Sequence, residues 1–184
     1  MINFSLKRAV AVAILAGASV GAHATTTNLG TISSSVLTAT GIAGTALGAG
    51  QSFSDIFSFN FSGSNFGTHF LVNDVPTIVS PQVNFDGILS AISLFSAGAN
   101  GVVGGGDDSL LASSTAPGGN SLTLDYNQSL SGTSYITVTG ITNGSGGAIY
   151  AGQIAPIPEP ETYAMLLAGL GLMGAVVRRR SMRK

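Results

Sequence analysis

Large apolar and small polar residues alternate over residues 52–62 and predict the clearest strand of the chain. Phe53, Asp55, Phe57, Phe59 and Phe61 fall on one face of this strand, and mostly Ser and Asn fall on the other. Successive side chains of a strand point to opposite faces of its sheet, so the phenylalanine face is expected to pack in a core.

Short strand patterns continue through the middle of the chain, and no helical periodicity of useful length occurs between residues 50 and 155. Clusters of Asn, Asp, Gly and Ser separate the strands. Seven further strands are predicted at residues 68–72, 77–79, 88–96, 109–113, 121–126, 135–139 and 148–154. This spacing indicates a mainly β fold, an antiparallel β-sandwich of the jelly-roll type, over residues 52–155.

The segment before this domain, residues 25–51, is rich in Ser, Thr and Gly. It is expected to contain a first strand around residues 29–37, followed by a mobile linker.

The N-terminal residues 1–24 have the layout of a secretory signal peptide. A short basic region precedes an apolar run at residues 9–20, and Ala22 and Ala24 give the small-x-small pattern that signal peptidase recognises. Twelve apolar residues extend about 18 Å as a helix, less than the roughly 30 Å of a bilayer core, so a cleaved leader is favoured over a membrane anchor. Cleavage is predicted before Thr25.

The C-terminal residues 156–184 form a second detachable segment. A proline-rich stretch is followed by an apolar run at residues 163–177 and then by a basic cluster. The apolar run predicts a single transmembrane helix in the inner membrane, with the basic C-terminus cytoplasmic by the positive-inside rule. Fifteen residues give a helix of only about 22 Å, which suits a temporary anchor.

Charge divides the chain in the same way. The chain has 184 residues, of which 45% are hydrophobic and only 8% charged, and it contains no Cys. No Lys or Arg occurs between Thr25 and Ile157, whereas six Asp do. An acidic domain of this kind excludes a nucleic-acid partner, and without disulfides its stability must come from core burial.

Asp55 poses a chemical problem, because a carboxylate on an apolar strand face is costly to bury unless it is satisfied. Hydrogen bonds from amides or hydroxyls are favoured; a proton, a cation or an outward bulge are the alternatives. Asp107 and Asp108, in a Gly-rich stretch, fit a solvated turn better than a calcium loop. No metal or cofactor is therefore expected.

Candidate catalytic groups are few. Between residues 25 and 157 there is no Cys, Lys, Arg or Glu, and the single histidine, His69, falls in a strand pattern. No Gly-x-Ser-x-Gly turn precedes a helix. The domain is expected not to be an enzyme, since a secreted hydrolase would require two convergent carboxylates, or His69 beside an acid in a cleft.

The C-terminal segment contains Pro158, Glu159 and Pro160, then the apolar run, and then Arg178, Arg179 and Arg180. This order of motifs resembles the PEP-CTERM sorting domain of Gram-negative bacteria that make exopolysaccharide. The resemblance implies recognition by an exosortase, a membrane protease or transpeptidase that cuts at or near the Pro-Glu-Pro motif, with the three arginines as the stop. The chain would then be a substrate, exported to the cell surface or the extracellular space.

Phe53, Asp55 and Phe57 also resemble the signature of the FxDxF family of PEP-CTERM proteins, which pair this motif with a Gly- and Ser-rich β domain. The resemblance implies a lineage and no molecular activity.

These features favour a non-enzymatic surface or extracellular-matrix protein associated with exopolysaccharide. The alternative is a carbohydrate-binding β-sandwich, which calcium would assist. Sugar rings stack on exposed aromatic side chains, so exposure of Tyr126, Tyr135 and Tyr150 would favour that alternative and burial would count against it.

Overall fold

A computed structural model describes residues 24–33, 40–62, 67–157 and 160–181. Most of the predicted signal peptide, including Ala22, and both Pro158 and Glu159 lie outside the described residues. The described elements are β1 (Thr26–Ser33), β2 (Thr40–Leu47), β3 (Ser52–Ser62), β4 (Gly67–Asp74), β5 (Thr77–Ser80), β6 (Val83–Phe85), β7 (Gly87–Ser96), β8 (Ser109–Gly119), β9 (Ser121–Tyr126), β10 (Thr133–Thr142), β11 (Gly147–Ile157) and α1 (Pro160–Ser181).

The strands form two main sheets and one small hairpin. The first sheet has the order β1-β3-β10-β7-β8, the second has the order β2-β11-β4-β9, and β5 pairs with β6. The mainly β prediction is confirmed. The sequence suggested purely antiparallel sheets, but the first sheet is mixed because β1 runs parallel to β3.

The core lies between the inner faces of the two main sheets. Phe53, Phe57 and Phe59 of β3 are buried, as the alternation in residues 52–62 predicted. Phe59 meets Phe70 of the opposite sheet with the ring centroids 6.1 Å apart. Burying each such side chain contributes about 1.5–3 kcal/mol, so contacts of this kind hold the sheets together without disulfides.

The structure corrects the prediction of a linker before residue 52. Thr40–Leu47 form β2, an edge strand whose eight residues all pair with β11. Small residues dominate this segment, so the signal for a strand is weak, but Ile42 and Ala46 point into the core and are buried. Pairing with the backbone of β11 therefore supports a strand that the local sequence does not predict.

Two further differences concern strand ends. β8 continues to Gly119 through residues expected to form a turn, because its end bulges and still pairs with Leu89 of β7. The short strand β6 was not predicted, since its three residues are stabilised mainly by pairing with β5.

The helix α1 begins at Pro160, a position where the missing amide hydrogen of proline costs nothing. It includes the whole apolar run, residues 163–177, for which the sequence predicted a transmembrane helix. Six large apolar side chains described in this helix are between 60 and 74% exposed, so these six do not belong to the sandwich core: Met165, Leu166, Leu167, Leu170, Leu172 and Met173. Among the described residues, no helix combines the length and the hydropathy required for a membrane crossing.

Candidate functional site

Asp55 lies on the inner face of β3 and is fully buried. Its Oδ1 accepts hydrogen bonds from the backbone nitrogen of Thr25 at 2.8 Å and from the Thr25 hydroxyl at 2.6 Å. Its Oδ2 accepts a hydrogen bond from the Tyr150 hydroxyl at 2.6 Å. The prediction that an amide and hydroxyl groups satisfy this carboxylate is therefore confirmed.

Tyr150 reaches Asp55 from the opposite sheet. Its ring stacks on Phe53 at 5.5 Å and meets Phe57 edge-on at 6.3 Å. Gly44, its partner on β2, leaves room for the ring, because a Cβ at that glycine would fall 2.2 Å from it. Burial and then the charge of Asp55 raise the pKa of Tyr150 far above its ordinary value, so the hydroxyl stays protonated and can donate.

Thr25 reaches Asp55 from the edge of the sheet that contains Asp55 itself, because it directly precedes the edge strand β1. Its carbonyl accepts a hydrogen bond from the Ile56 backbone nitrogen at 2.7 Å, and Thr26 pairs with Ile56 at the start of β1. The preceding residue, Ala24, is exposed. The peptide bond predicted to be cut by signal peptidase thus lies at the point where the chain enters the sheet.

The C-terminal sorting segment starts where the sandwich ends. β11 stops at Ile157 and α1 begins at Pro160, so the helix does not continue into the domain. The three arginines at 178–180 are in the last turns of α1, and Arg178 is exposed. An accessible apolar helix with a basic end is thereby joined to the last strand of the sandwich.

His69 is beside an acid, as a hydrolase would require, but on an open sheet face. Its Nδ1 is 2.5 Å from Oδ1 of Asp125, the residue directly opposite on β9. The two side chains are 36% and 60% exposed. The pair is therefore a cross-strand contact in solvent, where the imidazole and carboxylate stay hydrated.

Asp107 and Asp108 stabilise the Gly-rich loop between β7 and β8. Asp107 accepts hydrogen bonds from the backbone nitrogens of Ala99 and Asn100, and Asp108 accepts one from that of Gly104. These contacts agree with the interpretation of Asp107 and Asp108 as turn residues. Within the described residues, no group of three or more His, Cys, Asp or Glu is arranged to hold a metal ion.

The three tyrosines considered for a sugar platform are not exposed together. Tyr150 is fully buried and Tyr135 is 6% exposed, whereas Tyr126 is partly buried. Tyr135 stacks on Phe95 and donates a hydrogen bond to Asp108 at 2.7 Å. Burial, together with that carboxylate, raises the pKa of Tyr135 to about 12.

One acid, Asp74, is buried although the strand patterns did not predict it. Asp74 lies outside the strand predicted at residues 68–72, but it is the last residue of β4 and only 8% exposed. Burial raises its pKa, and the nearby charge of Asp86 adds to the shift. Asp74 continues the alternation of Phe70 and Val72, so a longer strand would have placed all three residues on the inner face.

Comparison with known proteins identifies the C-terminal segment. Residues 156–180 match the PEP-CTERM protein-sorting motif, which supports sorting by an exosortase. No curated protein sequence matches the chain. Among solved structures, the chain is similar to the pre-peptidase C-terminal domain of a collagenase from Bacillus anthracis. The identity is 16% and the TM-score 0.40, over 70% of this chain and 93% of that one.

Proposed function

We propose that this chain is an exported surface or extracellular-matrix protein, delivered through its PEP-CTERM signal and without enzymatic activity of its own. The observation that carries the proposal is the sorting motif at residues 156–180. In the proposed sequence of events, signal peptidase removes the leader and α1 holds the protein transiently at the inner membrane. An exosortase then cuts at or near Pro158, Glu159 and Pro160.

The exposure of α1 supports this sequence of events. The six large apolar side chains described in α1 are exposed, so they are available to lipid or to a membrane protease. Loss of the segment after Ile157 would leave both main sheets intact, since the last strand of the second sheet ends at that residue.

The use of the acidic residues supports a structural role for the sandwich. Asp55, Asp107 and Asp108 accept hydrogen bonds from backbone and hydroxyl groups of the domain itself. His69 and Asp125 are in solvent on a sheet face. The three carboxylates that accept these hydrogen bonds therefore contribute to the fold. We propose that the sandwich associates with extracellular polysaccharide as a matrix component.

The carbohydrate-binding alternative has less support. A sugar-stacking platform requires accessible aromatic faces, and Tyr135 and Tyr150 present none to solvent. Any polysaccharide contact would therefore involve the Ser- and Thr-rich outer faces through hydroxyl groups.

Mass spectrometry of cell-surface and medium fractions tests the proposal in cells that contain an exosortase. We expect mature protein that begins at Thr25 and lacks every peptide from Tyr163 onward. Glu159→Ala should keep the tail and accumulate in the membrane fraction, whereas Glu161→Ala, outside the Pro-Glu-Pro motif, should be processed normally. Surface protein with an intact C-terminal tail would refute processing.

A further inference from the structure

The cleavage site and the buried carboxylate meet at one atom pair. The backbone nitrogen of Thr25 lies 2.8 Å from Oδ1 of Asp55, which is fully buried. The stretch from Thr25 to Ile157 contains no Lys or Arg. A hydrogen bond from a charged donor to a carboxylate is shorter and stronger than one from a neutral amide.

Cleavage of the leader creates such a charged donor. Hydrolysis of the Ala24–Thr25 bond adds one water: its oxygen stays on Ala24 as part of a carboxylate, and both hydrogens go to the Thr25 nitrogen. The neutral amide thereby becomes an ammonium group. An ordinary α-amino group has a pKa of about 7.7–8.0, so this nitrogen is largely charged at neutral pH.

We propose that Asp55 is the binding site for the α-amino group that signal-peptide cleavage creates at Thr25. Removal of the leader then converts a neutral hydrogen bond into an ion pair and fastens β1 to β3 in the mature protein. The inference rests on the proposed export, because signal peptidase acts only on exported chains.

The surrounding geometry holds both partners in place before cleavage. Tyr150 fixes Oδ2 of Asp55 from the opposite sheet, which leaves Oδ1 directed at Thr25. The hydrogen bond from Ile56 to the Thr25 carbonyl holds the new first residue against β3. The ammonium therefore forms where it is needed, and the exposed Ala24 leaves toward solvent.

Two independent features select the same nitrogen. The small residues Ala22 and Ala24 define the scissile bond from sequence. The hydrogen bond to Asp55 defines the same position from tertiary structure. A cleavage one residue earlier would leave Thr25 as a neutral amide and move the charge away from the carboxylate.

Two purified chains that differ by one residue test the proposal. One comprises residues 25–184 and the other residues 24–184, each released from a removable fusion without extra residues and unfolded by urea in the same mild detergent. The equilibrium constant for unfolding should be about tenfold smaller for the chain that starts at Thr25, which corresponds to about 1.4 kcal/mol. Its β1 amides should also exchange hydrogen more slowly.

Asp55→Asn should abolish this difference, whereas Asp125→Asn, which removes an exposed carboxylate of β9, should preserve it. Equal stability of the two starting chains, or a difference that persists in Asp55→Asn, overturns the proposal. If Asp55→Asn does not fold, N-terminal acetylation of the 25–184 chain decides. Acetylation should raise the unfolding constant to that of the 24–184 chain, and an unchanged constant overturns the proposal.

The result is separable from the proposed sorting. Chains with defined ends report on the ion pair whether or not an exosortase acts on the protein. Conversely, surface protein with a mature N-terminus other than Thr25 would overturn this inference while leaving C-terminal processing intact.

Discussion

Tyr150→Phe isolates a single hydrogen bond between the two sheets. The substitution removes the hydroxyl that donates to Oδ2 of Asp55 at 2.6 Å. The ring remains, so the stacking on Phe53 and the edge contact with Phe57 are preserved. The change in stability therefore reports on the hydroxyl and not on lost packing.

The expected cost follows from the charge and burial of the pair. Hydrogen bonds to charged groups contribute about 1.5–3 kcal/mol, and loss of a donor leaves a buried acceptor less well satisfied. Both residues are fully buried, so water cannot replace the hydroxyl without opening the core. We expect Tyr150→Phe to lower the free energy of unfolding by about 2–3 kcal/mol.

Urea unfolding followed by circular dichroism measures this change. Tyr126→Phe is the matched control, because its hydroxyl makes only an exposed 3.3 Å contact with Gln128. The control should change stability by less than about 0.5 kcal/mol. Equal midpoints for the two variants would refute the reasoning that the Tyr150–Asp55 contact stabilises the core.

Two other predictions concern packing and pH. Gly44→Ala should destabilise the fold by about 1–3 kcal/mol, because its Cβ would meet the Tyr150 ring, whereas Gly41→Ala on the same strand should be nearly neutral in urea unfolding. The pKa of Asp74 is higher in the folded protein than the unfolded value near 3.8, so its protonated carboxyl stabilises the fold below that pH. This contribution is lost as the pH rises through the folded pKa. Asp74→Asn should therefore increase stability at neutral pH and flatten the stability profile across that range, and parallel profiles would contradict this assignment.

Local pattern was sufficient where each strand carries its own alternation. The strand Ser52–Ser62 and the strand Ser121–Tyr126 have the predicted limits, because large apolar residues recur at every second position. The local pattern failed for Thr40–Leu47, whose small side chains give little preference for a strand. There the pairing with β11, a hundred or more residues later in the chain, determines the strand.

The candidate site shows the same division. The sequence placed Asp55 on the inner face of a strand and required that it be satisfied, and both statements are correct. It did not identify the partners, because Thr25 and Tyr150 are 30 and 95 residues away along the chain. The sorting motif needed no fold, since prolines, an apolar run and arginines occur consecutively.

Three features depend on neighbouring residues and follow from the sequence alone: the strand alternation, the restriction of all seven Lys and Arg to the two ends, and the C-terminal signal. The folded arrangement was needed for the parallel pairing of β1 with β3 and for the burial of Tyr150 over Gly44. It alone brought the Thr25 nitrogen to Asp55. The physical reason is that contacts between sheets and between distant strands depend on how whole faces pack, which no local periodicity records.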